Sequence, residues 1–141
     1  MNIENKIYYI AGLLEGEGSF GFYGCPVIQI NMTDGDVIEG ARKILHPKAN
    51  IRTQQKNDRK LMYILHISGP IAIQWMMTIY PLMKMRRKQK IREVIEKWKE
   101  VKNASVAQTR NPEEVVIHLM MKKGLTREQA IEKVKIISTI Q

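Results

Sequence analysis

Residues 8–20 decide how this chain folds, and they read YYIAGLLEGEGSF. The pattern predicts an apolar helix that ends at two glutamates set between glycines and turns directly into a strand near Ser19. Gly12 and Gly16 lie four residues apart, so they share one face of that helix. Glycine inside a helix is disfavoured by about 0.5–1 kcal/mol relative to alanine, but a face without side chains lets another backbone come close. We therefore expect this face to pack tightly against another helix.

Two carboxylates, Glu15 and Glu17, stand at the predicted C-terminal end of the helix. That end already carries about half a negative charge from the helix dipole, so acidic side chains are disfavoured there. Carboxylates, free carbonyls and a dipole end in one place suit a hard cation such as Mg²⁺. The alternative is an ordinary glycine cap followed by a solvated acid.

The segment Ile10–Gly18, which reads IAGLLEGEG, resembles the signature of the LAGLIDADG homing endonucleases. The resemblance implies that Glu17 binds the catalytic Mg²⁺, together with the Gly16 carbonyl. It also implies that Mn²⁺ substitutes for Mg²⁺, and that Ca²⁺ supports binding without cleavage. Family members with one copy of the motif are homodimers, and this chain has one copy. By this resemblance Ala11, Gly12 and Gly16 form the dimer interface and bring two Glu17 carboxylates together.

The charge of the chain is strongly positive and unevenly distributed. The 141 residues carry a net charge of +9 with an isoelectric point near 9.7, which indicates a polyanionic partner. Residues 84–102 alone hold nine lysines and arginines against three acidic residues.

Cys25 is the only cysteine, which excludes a disulfide within the chain and argues against a structural zinc site.

The start of the sequence is polar and short, without the pattern of a signal peptide. No apolar run approaches the roughly 20 residues that a membrane span needs. We therefore expect an intracellular protein, in the cytoplasm or nucleoid of a prokaryote or in an organelle, with no membrane partner.

The rest of the pattern alternates between helices and pairs of strands. Asn5 is a candidate cap for the first helix, and Thr33 or Asp34 for the second. The predicted order is helix 5–16, strands 19–23 and 27–32, a helix to residue 45, strands 51–56 and 60–67, a helix that Ser68-Gly69-Pro70 opens, and a basic helix over 85–101. This αββαββα order resembles the family core and implies an α+β fold with a four-stranded antiparallel saddle sheet. One sheet face is apolar and packs on helices, whereas the other is polar and free.

The polar face of the predicted sheet carries side chains that suit the edges of DNA bases. Arg52 matches the O6 and N7 acceptors of guanine and amides match adenine, each good bidentate pair discriminating by about 1–3 kcal/mol. The amide candidates are Gln29, Asn31 and Gln54. Further candidates on this face or at the hairpin tip are Ser19, Tyr23, Lys56, Arg59, Lys60 and His66. For each of them the alternative is an ordinary solvated strand residue.

Segment 81–89, PLMKMRRKQ, resembles the family segment in which a basic residue, usually lysine, reaches the active site. The resemblance places Arg86 at the lysine position, Gln89 as the accompanying glutamine, and Lys84 one helical turn earlier. Arginine stays protonated, so Arg86 would stabilise charge and not act as a general base. The alternative is a basic helix start that only touches backbone phosphate. Where the family often has a water-orienting glutamine, this chain has Met32, which cannot do that work.

The C-terminal part of the chain reads as a helical extension outside the family core. We expect an endonuclease-like core over 1–102, a linker over 103–111 and a helical hairpin over 112–141 that begins at Pro112. Thr126 opens a capping box for the last helix. A helix-turn-helix unit is the alternative for the two short helices.

The resemblance implies an intron-encoded, site-specific endonuclease that cuts both strands of DNA by metal-dependent hydrolysis, and the positive charge and the polar sheet face agree with DNA as the partner. The resemblance implies a homodimer and a long pseudo-palindromic DNA site. Two alternatives stay open: an RNA-binding maturase that assists intron splicing, and a catalytically inactive DNA-binding regulator. The presence of Glu17 argues against the inactive regulator, because a buried pair of like charges at a dimer centre is unfavourable unless a cation neutralises it.

Overall fold

The computed structural model describes residues 1–109, 117, 120–121 and 123–139. Within these residues the helices are α1 (Ile3–Glu17), α2 (Gly35–Leu45), α3 (Pro70–Ile79), α4 (Met85–Thr109) and α5 (Arg127–Thr139). The strands are β1 (Gly18–Phe22), β2 (Pro26–Met32), β3 (Ile51–Gln54) and β4 (Met62–Ser68). The order from α1 to α3 confirms the predicted α+β class and its αββαββα core.

A single antiparallel sheet holds these four strands in the order β1-β2-β4-β3. Successive side chains of a strand point to opposite faces, so the register assigns each residue to one face of the sheet. Phe20, Ile28 and Ile67 stand opposite one another on three adjacent strands, and each is at most 4% exposed. These residues define the inner face of the sheet. The residues that alternate with them along each strand lie on the opposite face, which is called the outer face below.

The hydrophobic core lies between the inner face of the sheet and the helices. Leu14 of α1, Ile38 of α2 and Met76 of α3 are fully buried in it. Ile91 and Val94 of α4 belong to the same cluster. Burial of a large apolar side chain contributes about 1.5–3 kcal/mol, so one core holds in place both α1 and the first half of α4, which carry the predicted catalytic residues.

The ends of several elements differ from the sequence prediction. Helix α1 is capped by Asn2, whose Oδ1 accepts a hydrogen bond from the backbone N–H of Asn5 at 2.8 Å, so Asn5 is wrong as the capping residue. Asp34 occupies the cap position of α2, although its side chain makes no capping hydrogen bond. The strands of the second hairpin are shorter than predicted, and 55–61 form the loop between them.

The chain divides into two compact units, Met1–Lys99 and Glu100–Gln141. In the predicted linker over 103–111, residues 103–109 are helical, because α4 continues to Thr109. Residues 110–111 lie outside the described part of the chain. The division into core, linker and hairpin otherwise stays a prediction.

Helix α5 begins with the predicted capping box. The Oγ1 of Thr126 accepts a hydrogen bond from the backbone N–H of Gln129, and the Oε1 of Gln129 accepts one from the backbone N–H of Thr126. The helix predicted from Pro112 lies largely outside the residues that the structure describes. Over the described ranges, no helix is both long and apolar enough to cross a membrane.

Candidate nucleic-acid interface and active site

The outer face of the sheet gathers most of the predicted base-reading residues. One row across the sheet consists of Ser19, Gln29 and His66, contributed by β1, β2 and β4. The next row begins with Asn31 on β2 and ends with Arg52 on β3. Gln54 follows on β3, opposite Met62. The structure therefore brings six sequence-predicted side chains onto one face, and their roles in binding stay predictions.

Two amides on this face are hydrogen-bonded to each other. The Nε2 of Gln29 donates to the Oδ1 of Asn31 at 3.1 Å. This bond leaves the Oε1 of Gln29 as an acceptor and the Nδ2 of Asn31 as a donor for an outside partner. In the same row as Gln29, the Nδ1 of His66 is buried without a hydrogen-bond partner among the described residues.

The outer face also carries apolar side chains. Ile64 lies between Asn31 and Arg52 in their row, and Met62 lies beside it on β4; both are half-buried. An apolar side chain at such a place can contact the methyl group of thymine. At the edge of the sheet the ring of Tyr23 folds over Gly21, where a Cβ would come within 2.7 Å of the ring, and Tyr23 itself is 80% exposed.

Basic side chains cluster at the tip of the second hairpin. Lys56, Arg59 and Lys60 are all exposed in the loop between β3 and β4. The backbone N–H of Arg59 donates to the carbonyl of Lys56 at 3.1 Å and closes the turn. These three residues lie beyond the paired strands, and their roles in DNA binding stay predictions.

The side chain of Glu17 is exposed at the end of α1. The next residue, Gly18, donates its N–H to the Leu14 carbonyl and begins β1. Among the described residues, no group of three or more His, Cys, Asp or Glu side chains is placed to hold a metal ion. The Glu17 carboxylate and the Gly16 carbonyl are oxygen donors of the kind that Mg²⁺ prefers, but one chain supplies too few of them to complete its coordination.

Arg86 and Gln89 line a groove of about 500 Å³ with Ser19. Phe20, Arg87, Lys90 and Glu93 complete its lining. Ser19 follows the predicted metal ligand Glu17 by two residues, and it shares this groove with Arg86 and Gln89. The side chain of Lys84 is exposed and does not line the groove.

Sequence reasoning missed the role of Arg87 and Glu15. The Nε and Nη2 atoms of Arg87 donate to the carbonyl oxygen of Glu15 at 3.2 and 3.1 Å. The Oε2 of Glu15 accepts a hydrogen bond from the backbone N–H of Lys84 at 3.1 Å. A signal was present, because Arg87 precedes Ile91 by four residues and Val94 by seven, which places it on the buried side of α4.

The glycine face of α1 is open among the residues that the structure describes. A Cβ added at Gly12 or Gly16 would meet nothing within 4 Å. Tyr8, one turn before Gly12, is 62% exposed. Ala11, in contrast, is 5% exposed and packs in the core of its own chain, so it does not share the open face with Gly12 and Gly16, and its place in a dimer interface stays a prediction.

Met32 packs against the core on the inner face, opposite Tyr63. The last side chain of β2 on the outer face is therefore that of Asn31. A polar group that orders water at this end of β2 has to be Asn31 or come from another element.

No protein-family model matches the chain, and no curated protein matches it. Among solved structures, the fold is similar to that of an archaeal intron-encoded homing endonuclease, I-Vdi141I, in complex with DNA. The two share 17% sequence identity with a TM-score of 0.50, and the match covers 95% of this chain and 84% of the other. At this identity the likeness shows a common fold.

Proposed function

We propose that this chain is a site-specific, double-strand DNA endonuclease of the LAGLIDADG homing type, encoded within an intron. One observation carries the proposal: Ser19 belongs both to the polar row of the outer face and to the groove that Arg86 and Gln89 line. Since Ser19 is two residues from Glu17, the surface that reads DNA and the groups that act on phosphate meet at one edge of the sheet. The DNA complex of the structural neighbour supports the same assignment.

In this proposal each site residue has a distinct task. Glu17 and the carbonyl of Gly16 hold Mg²⁺, which when bound activates water and stabilises charge on the leaving oxygen. Arg86 stays charged and stabilises the negative charge that develops on the phosphate. Gln89, on the same side of α4, donates or accepts hydrogen bonds at the groove.

The outer face binds in the major groove, which is wide enough to admit a β-ribbon. Arg52, Gln54 and the Gln29–Asn31 pair read base edges there. The loop cations Lys56, Arg59 and Lys60 bind the phosphate backbone, in agreement with the positive charge of the chain.

Arg52→Ala is expected to remove about 1–3 kcal/mol of discrimination at one base pair in each half-site, because arginine pairs bidentately with guanine. Competition binding in Ca²⁺, with duplexes altered one position at a time, measures this loss. The control is Lys56→Ala, which should weaken binding to all sequences alike and reduce its salt dependence. An equal loss across all sequences for Arg52→Ala would show that Arg52 contacts phosphate.

The active protein in this proposal is a homodimer that packs through the open face of α1. A Cβ at Gly12 or Gly16 would meet no atom within 4 Å among the described residues, so no contact in the described part of the chain requires glycine at these positions. A partner helix on this face accounts for both glycines. It also brings two Glu17 carboxylates, one for each DNA strand, to the centre of the assembly.

Gly12→Ala is expected to raise the dissociation constant of the dimer about tenfold or more, which corresponds to about 1.4 kcal/mol of lost packing. The same change should stabilise the isolated chain by about 0.5–1 kcal/mol, because alanine is the better helix former. Sedimentation equilibrium and denaturant unfolding measure the two effects. Gly40→Ala is the matched control, since Gly40 lies inside α2 and also has nothing within 4 Å of an added Cβ. If both variants gain stability with the same oligomeric state, the interface is elsewhere.

The function is tested by incubating the protein with a supercoiled plasmid library of candidate insertion sites, in Mg²⁺ or in Ca²⁺. Discrete linear product in Mg²⁺ alone is the expected result. Tight binding without cutting in either metal would favour the inactive regulator. A lack of DNA affinity would favour the maturase that binds intron RNA.

A further inference from the structure

The C-terminal end of α1 is tied to the N-terminal end of α4 by three hydrogen bonds. Two come from the guanidinium of Arg87 to the carbonyl of Glu15, and one from the backbone N–H of Lys84 to the carboxylate of Glu15. The partners are 69 to 72 residues apart in the sequence. This set of bonds is called the latch below.

Each half of the latch satisfies groups that a helix terminus leaves unpaired. The last four carbonyls of a helix lack intrahelical partners, and the carbonyl of Glu15 is among those of α1. At the other end, the carbonyl of Lys84 accepts the first hydrogen bond of α4 from Lys88, so Lys84 is the cap residue whose own N–H needs an acceptor. The Glu15 carboxylate supplies it, and the Arg87 charge offsets the negative end of the α1 dipole. Hydrogen bonds from charged groups are the stronger kind, so the latch is a firm connection.

The latch lies between the two halves of the proposed active site. Glu17, the proposed metal ligand, follows Glu15 by two residues, and Arg86 directly precedes Arg87. Any rotation of α4 about its axis, or any fraying of the end of α1, changes the distance between Glu17 and Arg86. The latch opposes both movements.

Arg87 borders the groove, but two of its three guanidinium nitrogens are already bonded within the chain. Its side chain is half-buried, whereas those of Arg86 and Arg92 are exposed. A guanidinium engaged in this way is less available to bind phosphate than Arg86 is.

We propose that Arg87 is a positioning residue, which holds the Glu17 end of α1 against the start of α4 and so sets the geometry of the cleavage step. The inference rests on the proposed endonuclease function. In this proposal Arg87 affects the rate of cleavage by positioning Glu17 and Arg86, and it does not contribute to the affinity for DNA.

Two substitutions at Arg87 distinguish the effect of its hydrogen-bonding geometry from the effect of its positive charge. Arg87→Lys keeps the charge but loses the planar pair of N–H donors, and Arg87→Gln loses both. Both should slow single-turnover cleavage in Mg²⁺ by roughly ten- to a hundredfold, since a misplacement of about 1 Å at a reacting centre has an effect of that size. The dissociation constant for the same duplex in Ca²⁺ should stay near that of the unaltered protein. The matched control is Arg92→Gln, an identical change at an exposed arginine of the same helix, which should leave the cleavage rate unchanged.

Two results would overturn the proposal: a normal cleavage rate in Arg87→Lys, or a loss of affinity as large as the loss of rate. Either would show that the positive charge of Arg87 acts directly on the DNA. Amide hydrogen exchange at Lys84 tests the latch without any DNA or metal. Exchange there should be faster in both Arg87 variants and unchanged in Arg92→Gln. Unchanged exchange in the Arg87 variants would overturn the latch even in an active nuclease. An unaltered protein that does not cleave would instead overturn the proposed function, and the positioning role with it.

Discussion

Glu17→Gln is expected to lower the rate of DNA cleavage by roughly a thousandfold or more, because catalysis by a bound metal depends on the charge that holds it. The amide keeps the size of the side chain and one oxygen donor, but it loses the negative charge that Mg²⁺ requires. Glu17 is exposed in the single chain, so the substitution should leave the fold of the chain unaffected. Affinity for DNA in Ca²⁺ should persist, since the contacts of the outer face are untouched.

The measurement is single-turnover cleavage of a defined duplex, with binding followed separately by fluorescence anisotropy. Glu4→Gln is the matched control, because Glu4 is an exposed glutamate in the first turn of the same helix and far along it from the groove. Cleavage that survives Glu17→Gln at a comparable rate would reject Glu17 as the metal ligand. A complete loss of DNA binding would show that Glu17 has a structural role at the dimer centre.

Gly18→Ala is expected to lower the free energy of unfolding by about 1–3 kcal/mol, the usual effect of forcing an extra methyl group into a packed site. A Cβ at Gly18 would lie 2.6 Å from the Cδ2 of Leu14, 2.8 Å from its Cα and 2.9 Å from its carbonyl oxygen. Two of these three atoms belong to the backbone, so a side-chain rotation cannot relieve the contact. Either the last turn of α1 or the first residue of β1 has to move.

Urea unfolding at low protein concentration measures this loss. Gly40→Ala is again the control, because the same methyl group meets no atom within 4 Å there and should be neutral or slightly stabilising. An unchanged unfolding midpoint for Gly18→Ala would mean that the helix-to-strand junction is more adaptable than its contacts indicate. Since Gly18 directly follows Glu17, we also expect this variant to cleave DNA more slowly.

The alternation of side chains along β2 was sufficient to predict the two faces of the sheet. Ile28 and Ile30 are buried, as their period of two implied, and Gln29 and Asn31 lie on the outer face. Periodicity is a local property of the sequence, so it can be read without knowing which strand pairs with which. Periodicity could not predict the strand order β1-β2-β4-β3, because strand pairing depends on contacts between residues far apart in the sequence.

The positions of Ala11 and Arg87 around their helices explain why the structure places both of them on buried sides. Ala11 is adjacent to Gly12 in sequence, but one residue is about 100° around a helix, and this turns Ala11 into the core. Arg87 stands in a run of basic residues that looks uniformly solvated. Its position four residues before Ile91 turns it toward α1, where it meets the carbonyl of Glu15.

The sequence by itself determined the class of the fold, the glycine face of α1, the carboxylates at its end and the polar residues of the outer face. These follow from side-chain periodicity, capping chemistry and the resemblance of a short motif, which all act within a few residues. Only the tertiary structure decided that Ser19 joins the outer face to the groove and that Arg87 binds the end of α1. Both depend on contacts between segments about 70 residues apart, and the packing of α1 and α4 on one common core brings those segments together.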